Sequence, residues 1–315
     1  MASPDPAATK HMSGPAAALA AELAAAPVRD LTRETAVLLR EEGEAAYRPR
    51  AERALAGSGV TVRERQIAGV PCLELIPARH RETRTVFYCY GGGCVAGSAY
   101  LDLIISAPIA AATGARVIAP DYRLAPENPY PAAIDDCFAV YEAVLGEVPG
   151  EGLVVSGESA GGNMALGCLH RGRAKGLPMP TGAALLSPWS DLAGGDESSA
   201  FNDGRDPTLS RENLLAAAML YAGERALTDP GVSPLLGPFD ASYPPMLITS
   251  GTRDLLLSQC IRLAEVLRAA RVPVELQISD GMWHVFEYYD ELPEARRSLG
   301  EIAEFIDRRF SANGR

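Results

Sequence analysis

The chain reads as an α/β fold: an eight-stranded, mostly parallel sheet flanked by helices, with a helical cap. Three observations predict it. Short apolar, β-branched runs alternate with longer stretches of helical periodicity, as parallel strands joined by crossover helices require. Only the first two runs lack a helix between them, so the sheet is expected to begin with an antiparallel pair. Finally, Leu153-Val154-Val155 leads into Gly157-Glu158-Ser159-Ala160-Gly161 and then a small-residue helical pattern, which places a serine on a sharp strand-to-helix turn.

Taken in order, residues 1–13 are read as a leader or disordered segment and set aside from fold reasoning, because Met1 to Met12 is small, polar and proline-rich. From Gly14 to Ala56 the chain is rich in Ala, Leu, Glu and Arg. With Leu31, Thr35, Leu38 and Leu39 at helical spacing, it predicts two amphipathic helices that form the first part of the cap. Strands are expected at Val60–Gln66 and Cys72–Ile76, separated by Gly69-Val70-Pro71, and then at Thr85–Tyr90, Val117–Pro120, Leu153–Ser156, Ala183–Ser187, Met246–Ser250 and Val274–Ile278. The alternation breaks between Asp191 and Pro234, where polar turns surround one helix, Glu212–Tyr221; residues 191–234 are assigned as a second cap segment. Residues 57–190 and 235–315 then form the sheet-bearing domain.

At 315 residues and 33.3 kDa, one such domain and its cap account for the chain. A net charge of -11 argues against a nucleic-acid partner, which calls for a basic patch. No apolar run approaches the roughly 18 residues of a membrane span, and the N-terminus lacks the basic and apolar regions of a secretory signal, so a cytoplasmic protein is expected. The six cysteines are scattered without metal-ligand spacing and read as free, buried thiols; neither metal nor organic cofactor is expected. Cys94 follows the glycine run and is placed near the expected pocket.

A serine on such a turn needs a general base and an acid that fixes the base's tautomer. Where a serine elbow tops a parallel sheet, acid and then base follow it in the chain, which removes His11 and His80. His170 lies eleven residues along the same helix, roughly 16 Å away at 1.5 Å per residue, and cannot reach. His284, in the loop after the last strand, is the remaining base. Asp254 follows the Met246–Ser250 strand through a short turn and is favoured as the acid over Asp229 and Asp280, with Asp280 in reserve. The strand ending at Tyr90 runs into Gly91-Gly92-Gly93, a natural source of backbone N–H donors; Gly91, Gly92 and Ala160 are assigned to an oxyanion hole.

Several ordered motifs carry a family resemblance over most of the chain: Tyr90 to Gly93, Asp121 to Asn128 with Tyr130-Pro131-Ala132-Ala133, Gly157 to Gly162, Ser187 to Asp191, and Asp254 and His284 in their loops. Together they resemble the hormone-sensitive lipase family of bacterial esterases, α/β hydrolases whose elbow is usually written G-D-S-A-G-G. Two positions depart from that pattern. Tyr90 stands where relatives have a histidine that helps hold the oxyanion loop, and Glu158 replaces an aspartate. The resemblance implies hydrolysis of small, short-acyl esters without a cofactor, and dimerisation is common among such relatives. The cap is expected to shape the ester pocket with Leu214, Leu215 and Met219, beside Tyr90, Val95 and Phe286. The rival readings are a deacetylase or amidase for a particular natural product, using the same triad, and a non-catalytic small-ligand-binding protein. The latter class resembles plant receptors that lose the triad histidine, which is present here as His284.

Overall fold

A computed structural model describes residues 11–27, 29–148 and 152–312. Eight strands form one sheet: β1 (Val60–Ile67), β2 (Val70–Pro77), β3 (Thr85–Cys89), β4 (Arg116–Pro120), β5 (Leu153–Glu158), β6 (Gly182–Leu186), β7 (Met246–Gly251) and β8 (Val274–Ser279), in the order β1-β2-β4-β3-β5-β6-β7-β8. β2 pairs antiparallel with both β1 and β4, and the remaining pairs are parallel. The β1–β2 turn is Ala68-Gly69, both at positive φ, rather than the expected Gly69-Val70-Pro71. A two-residue hairpin with that backbone matches the strand twist, and Val70 and Pro71 are thereby left free to pair with Ile67 and Gln66. The inner strands β3, β5, β6 and β7 are buried throughout, which their continuous apolar sequences require.

Helices α3 (Leu103–Thr113), α4 (Ala132–Glu147), α5 (Ala160–Ala174), α8 (Leu257–Ala269) and α9 (Pro293–Ala312) flank the sheet. Strand order reverses at β3: the chain steps one way to β4, then back past β3 to β5. With right-handed crossovers, α3 falls on one face and α4, α5 and α8 on the other; α9 packs beside α3. The reversal opens a crevice at the carboxyl ends of β3 and β5, the usual ligand position in such sheets.

Residues 1–10 of the segment read as a leader lie outside the described residues. Ser13, counted with it, is instead the N-cap of α1 (Gly14–Ala25): its Oγ accepts from the Ala16 N–H at 3.2 Å, and its own N–H and hydroxyl donate to Glu294. The second N-terminal helix, α2, spans Ala36–Ser58. The predicted helical stripe is not its buried face. Leu31 and Thr35 precede the helix and Leu38 is exposed, while Ala36 and Ala51 make the close contacts. Between β6 and β7, the 191–234 segment carries a short helix α6 (Glu197–Phe201) that the sequence did not reveal, and α7 (Arg211–Ala222). The Asn213 side chain ties α7 to the N-terminal region, accepting from Leu31 N–H at 2.8 Å and donating to Arg29 carbonyl at 2.9 Å.

Candidate active site

Ser159 sits between the last residue of β5 and the first of α5 with φ 52° and ψ -120°, a conformation that non-glycine residues seldom hold. Its surroundings make it possible. A Cβ at Gly161 would collide with the Cys89 carbonyl, and one at Gly157 with the Gly161 backbone, so only glycine lets the turn pass this close to β3. The Ser159 N–H is fixed to the Leu186 carbonyl at 2.9 Å. The hydroxyl faces a cavity.

His284 is delivered by the loop after β8 and Asp254 by the loop after β7. His284 Nε2 lies 2.9 Å from Ser159 Oγ, and Nδ1 lies 3.0 Å from Asp254 Oδ1. The tautomer that satisfies both has the proton on Nδ1, donated to Asp254, and Nε2 accepting from the serine. Asp254 is fully buried and also accepts from Ser250 Oγ at 2.8 Å and from Leu256 N–H at 2.8 Å. Burial alone would raise its pKa; the His284 charge and hydrogen bond outweigh it and hold the carboxyl below the usual range. Burial pulls the His284 imidazole down, but Asp254 and then Asp206 push it up further, to a net rise. The alternatives lie elsewhere. Asp280 is exposed and accepts from Thr252 Oγ1, Asp229 closes a local turn at Gly231, and His170 is bonded between the Tyr243 hydroxyl and the Pro234 carbonyl.

Gly91 and Gly92 border the cavity beside Ser159, and Ala160 opens α5, where the helix N-terminus adds positive potential. Gly92 has φ 97°, and a Cβ there would strike the Ala96 carbonyl, so the tight loop demands glycine. Tyr90 does not line the cavity. Its ring is buried and stacked on Tyr122 at 4.1 Å; its hydroxyl donates to the Tyr122 carbonyl at 3.1 Å, and the Tyr122 hydroxyl returns a bond to the Tyr90 carbonyl at 2.7 Å.

The cavity encloses about 670 Å³ above the serine, within the usual range for small-molecule sites. Val95 and Leu214 line it, joined by Leu23, Leu31, Leu209 and Ala217. Leu215 and Met219 do not: α7 turns them outward, 51% and 60% exposed, because Ala217, Ala218, Tyr221 and Ala222 form its inner face. Phe286 is also outside the cavity, buried with Trp283, Met282 and Tyr289 beneath α1, and Cys94 is buried in the main core. Sequence reasoning missed Asp206. Its Oδ2 accepts from the N–H groups of both His284 and Leu255 at 3.2 Å, while Oδ1 accepts from Thr208 and Leu209. Its only sequence signal, an Asp-Pro in a polar stretch, does not differ from an ordinary turn.

A family model described as the alpha/beta hydrolase fold matches residues 86–288. A crystal structure of a hormone-sensitive lipase from a metagenome library superposes with a TM-score of 0.86 at 32% identity, covering 94% of this chain and 98% of that one. The chain belongs to the hormone-sensitive lipase family of α/β hydrolases. A second such structure, an esterase from the bacterial hormone-sensitive lipase family, matches at 29% identity and a TM-score of 0.85 over 94% of this chain and 97% of that one. Among curated relatives, an esterase of Acinetobacter venetianus is 37% identical over 78% of this chain and 82% of its own length. An acetyl-hydrolase of Streptomyces hygroscopicus is 32% identical over 82% and 86%.

Proposed function

We propose that this hydrolase is a carboxylesterase acting on short-acyl esters through Ser159, His284 and Asp254. The hydrogen-bonded line from Asp254 through His284 to Ser159 is the observation that carries the reading. Ser159 Oγ attacks the ester carbonyl while His284 Nε2 takes its proton, and Asp254 orients and steadies the imidazolium. The carbonyl oxygen, now negative, is met by the backbone N–H groups of Gly91, Gly92 and Ala160. His284 then protonates the departing alcohol, leaving an acyl-enzyme on Ser159. Water, deprotonated by the same nitrogen, attacks the acyl carbon and releases the carboxylic acid.

The esterase names of the relatives support ester substrates, and that of the acetyl-hydrolase supports a short acyl group. Among the described residues no helix is long and apolar enough to cross a membrane. All six cysteines are free and buried, which supports a reducing compartment such as the cytoplasm.

The test is hydrolysis of a p-nitrophenyl ester series from acetate to long acyl chains, run beside Ser159→Ala. Turnover on short chains that fades with length, and falls on the order of 10⁴-fold or more in the variant, is expected. A folded Ser159→Ala protein with near-full activity overturns the assignment.

A further inference from the structure

Beneath the oxyanion loop lies a buried polar cluster that the steps above leave unused. Asp102 at the start of α3 and Glu158 at the end of β5 are both nearly inaccessible, and the side-chain partners found for them are tyrosines. The Tyr88 hydroxyl donates to Asp102 Oδ2 at 2.7 Å, and the Tyr288 hydroxyl donates to Asp102 Oδ1. The same Tyr288 oxygen lies 3.2 Å from Glu158 Oε1.

Counting protons assigns the charges. Each tyrosine hydroxyl has one proton: that of Tyr88 is committed to Asp102, while that of Tyr288 lies within reach of both carboxyls and can go to only one. With Asp102 already holding the Tyr88 donor, we assign the Tyr288 proton to Asp102 too, and the glutamic acid then supplies the proton toward the Tyr288 oxygen. The chain runs from Glu158 O–H to Tyr288 O–H to an ionised Asp102, which Tyr88 satisfies from the other side. A second negative charge here would be a buried carboxylate with no ion-pair partner among the described residues.

The Glu158 carboxyl also packs directly on Gly91: a Cβ at that glycine would overlap its three terminal atoms. A carboxylate in this place would repel the negative charge developing on the substrate carbonyl, whereas a neutral carboxyl can support the loop without opposing it. We propose that Glu158 is a positioning residue kept as the neutral acid by the Tyr288–Asp102–Tyr88 chain, and that loss of its proton sets the alkaline limit of turnover. The second clause rests on the esterase reading; the first does not.

The groups facing Glu158 agree in sign. Burial first, then the Asp102 charge and, more weakly, Glu287 hold Glu158 well above the usual carboxylate range, with the Gly91 backbone offsetting part of the rise. Asp102 is itself pushed up by burial to about 7, against the Tyr88 hydrogen bond. Because the Glu158 pKa is raised, the neutral form persists to higher pH than in an ordinary glutamic acid and is lost as pH climbs further.

Two variants should move the alkaline limb of kcat in opposite directions. Glu158→Gln cannot ionise, and its amide can donate to Tyr288 as the acid does; the limb should rise by about one pH unit or more. Asp102→Asn removes the neighbouring charge and lets the Tyr288 proton turn to Glu158, so the limb should fall. Limbs that coincide with the wild type in both variants overturn the proposal, as does a folded Glu158→Gln protein without turnover at every pH, since the charge would then be required. Infrared difference spectra of the Ser159→Ala protein give a readout free of catalysis: a protonated-carboxyl band should disappear as pH rises and be absent when Glu158→Gln is added. No such band overturns the protonation whatever the activity; a band in a protein whose wild type hydrolyses no ester leaves the protonation standing and removes the esterase reading. If Glu158→Gln does not fold, Asp102→Asn and the band decide.

Discussion

Tyr90 and Tyr122 hold each other twice over, each hydroxyl donating to the other's backbone carbonyl across stacked rings 4.1 Å apart. Tyr90 immediately precedes the glycine loop and Tyr122 follows β4, so the pair fastens the loop to the neighbouring strand's end. The left-handed backbone at Gly92 and Gly93, with φ 97° and 65°, is thereby anchored on its incoming side.

Removing one of these bonds should therefore be felt at the loop. Tyr122→Phe keeps the stack but leaves the buried Tyr90 carbonyl without its 2.7 Å donor, a loss of about 1–3 kcal/mol in stability. In the proposed oxyanion role the loop's N–H groups act mainly on the transition state, so kcat should fall several-fold with KM little changed. Chemical denaturation and steady-state kinetics on a short ester check both parts, and an unchanged kcat would detach the pair from the oxyanion loop.

The raised pKa of His284 fixes the sign of the acid limb. The imidazole must be neutral to accept the Ser159 proton, so kcat/KM should fall as pH drops through a value above the ordinary ~6.5. Asp254→Asn removes the larger of the two stabilising carboxylates and offers an N–H where Nδ1 needs an acceptor. The rate should drop by about 10⁴ and the limb should move to lower pH. A pH–rate profile of both proteins tests this, and a limb that stays in place would mean that another group titrates.

Much of this site was legible because its parts are local in sequence. The elbow serine, the glycine run, and an acid and a base each in a loop at a strand's carboxyl end can all be read from strand patterns and chain order. So can the eight strands, whose runs are apolar enough to mark themselves, and the antiparallel start. What escaped depends on which way a side chain turns. Leu215 and Met219 have the same composition signal as Leu214, and only the packing of Ala217, Ala218 and Tyr221 decides which side of α7 faces inward. Tyr90 and Phe286 are apolar and close in sequence to the pocket-forming loops, but both rings are buried in the cores beside those loops. Asp206 lies 78 residues from His284 in the chain, a separation that no local pattern reports.

Asp206 connects the 191–234 segment to both triad loops at once, with Asn202 beside it donating to the Asp254 carbonyl at 2.9 Å. Asp206→Ala strands two buried N–H groups, those of Leu255 and His284, and removes a charge that favours the imidazolium. We expect kcat to fall on the order of 10- to 100-fold, at about 1–3 kcal/mol per unsatisfied group shared between stability and rate. A purely structural role would lower the melting temperature alone. Positioning of His284 predicts in addition that the acid limb moves down, and that Asp206→Asn, which keeps an acceptor but no charge, moves it as well.

The two faces of α7 give the last test. Leu214 faces the cavity, so Leu214→Trp should fill part of its 670 Å³ and shift the preferred acyl chain toward acetate, with KM for longer chains rising before kcat falls. Leu215 and Met219 point to solvent one and five positions further on, and Leu215→Ser with Met219→Ser should leave the chain-length profile where it was. The ratio of kcat/KM for hexanoate to that for acetate is the quantity to compare, because it cancels differences in active fraction. If the outward pair moved that ratio as much as Leu214→Trp did, α7 would have to turn its other face to the substrate during turnover.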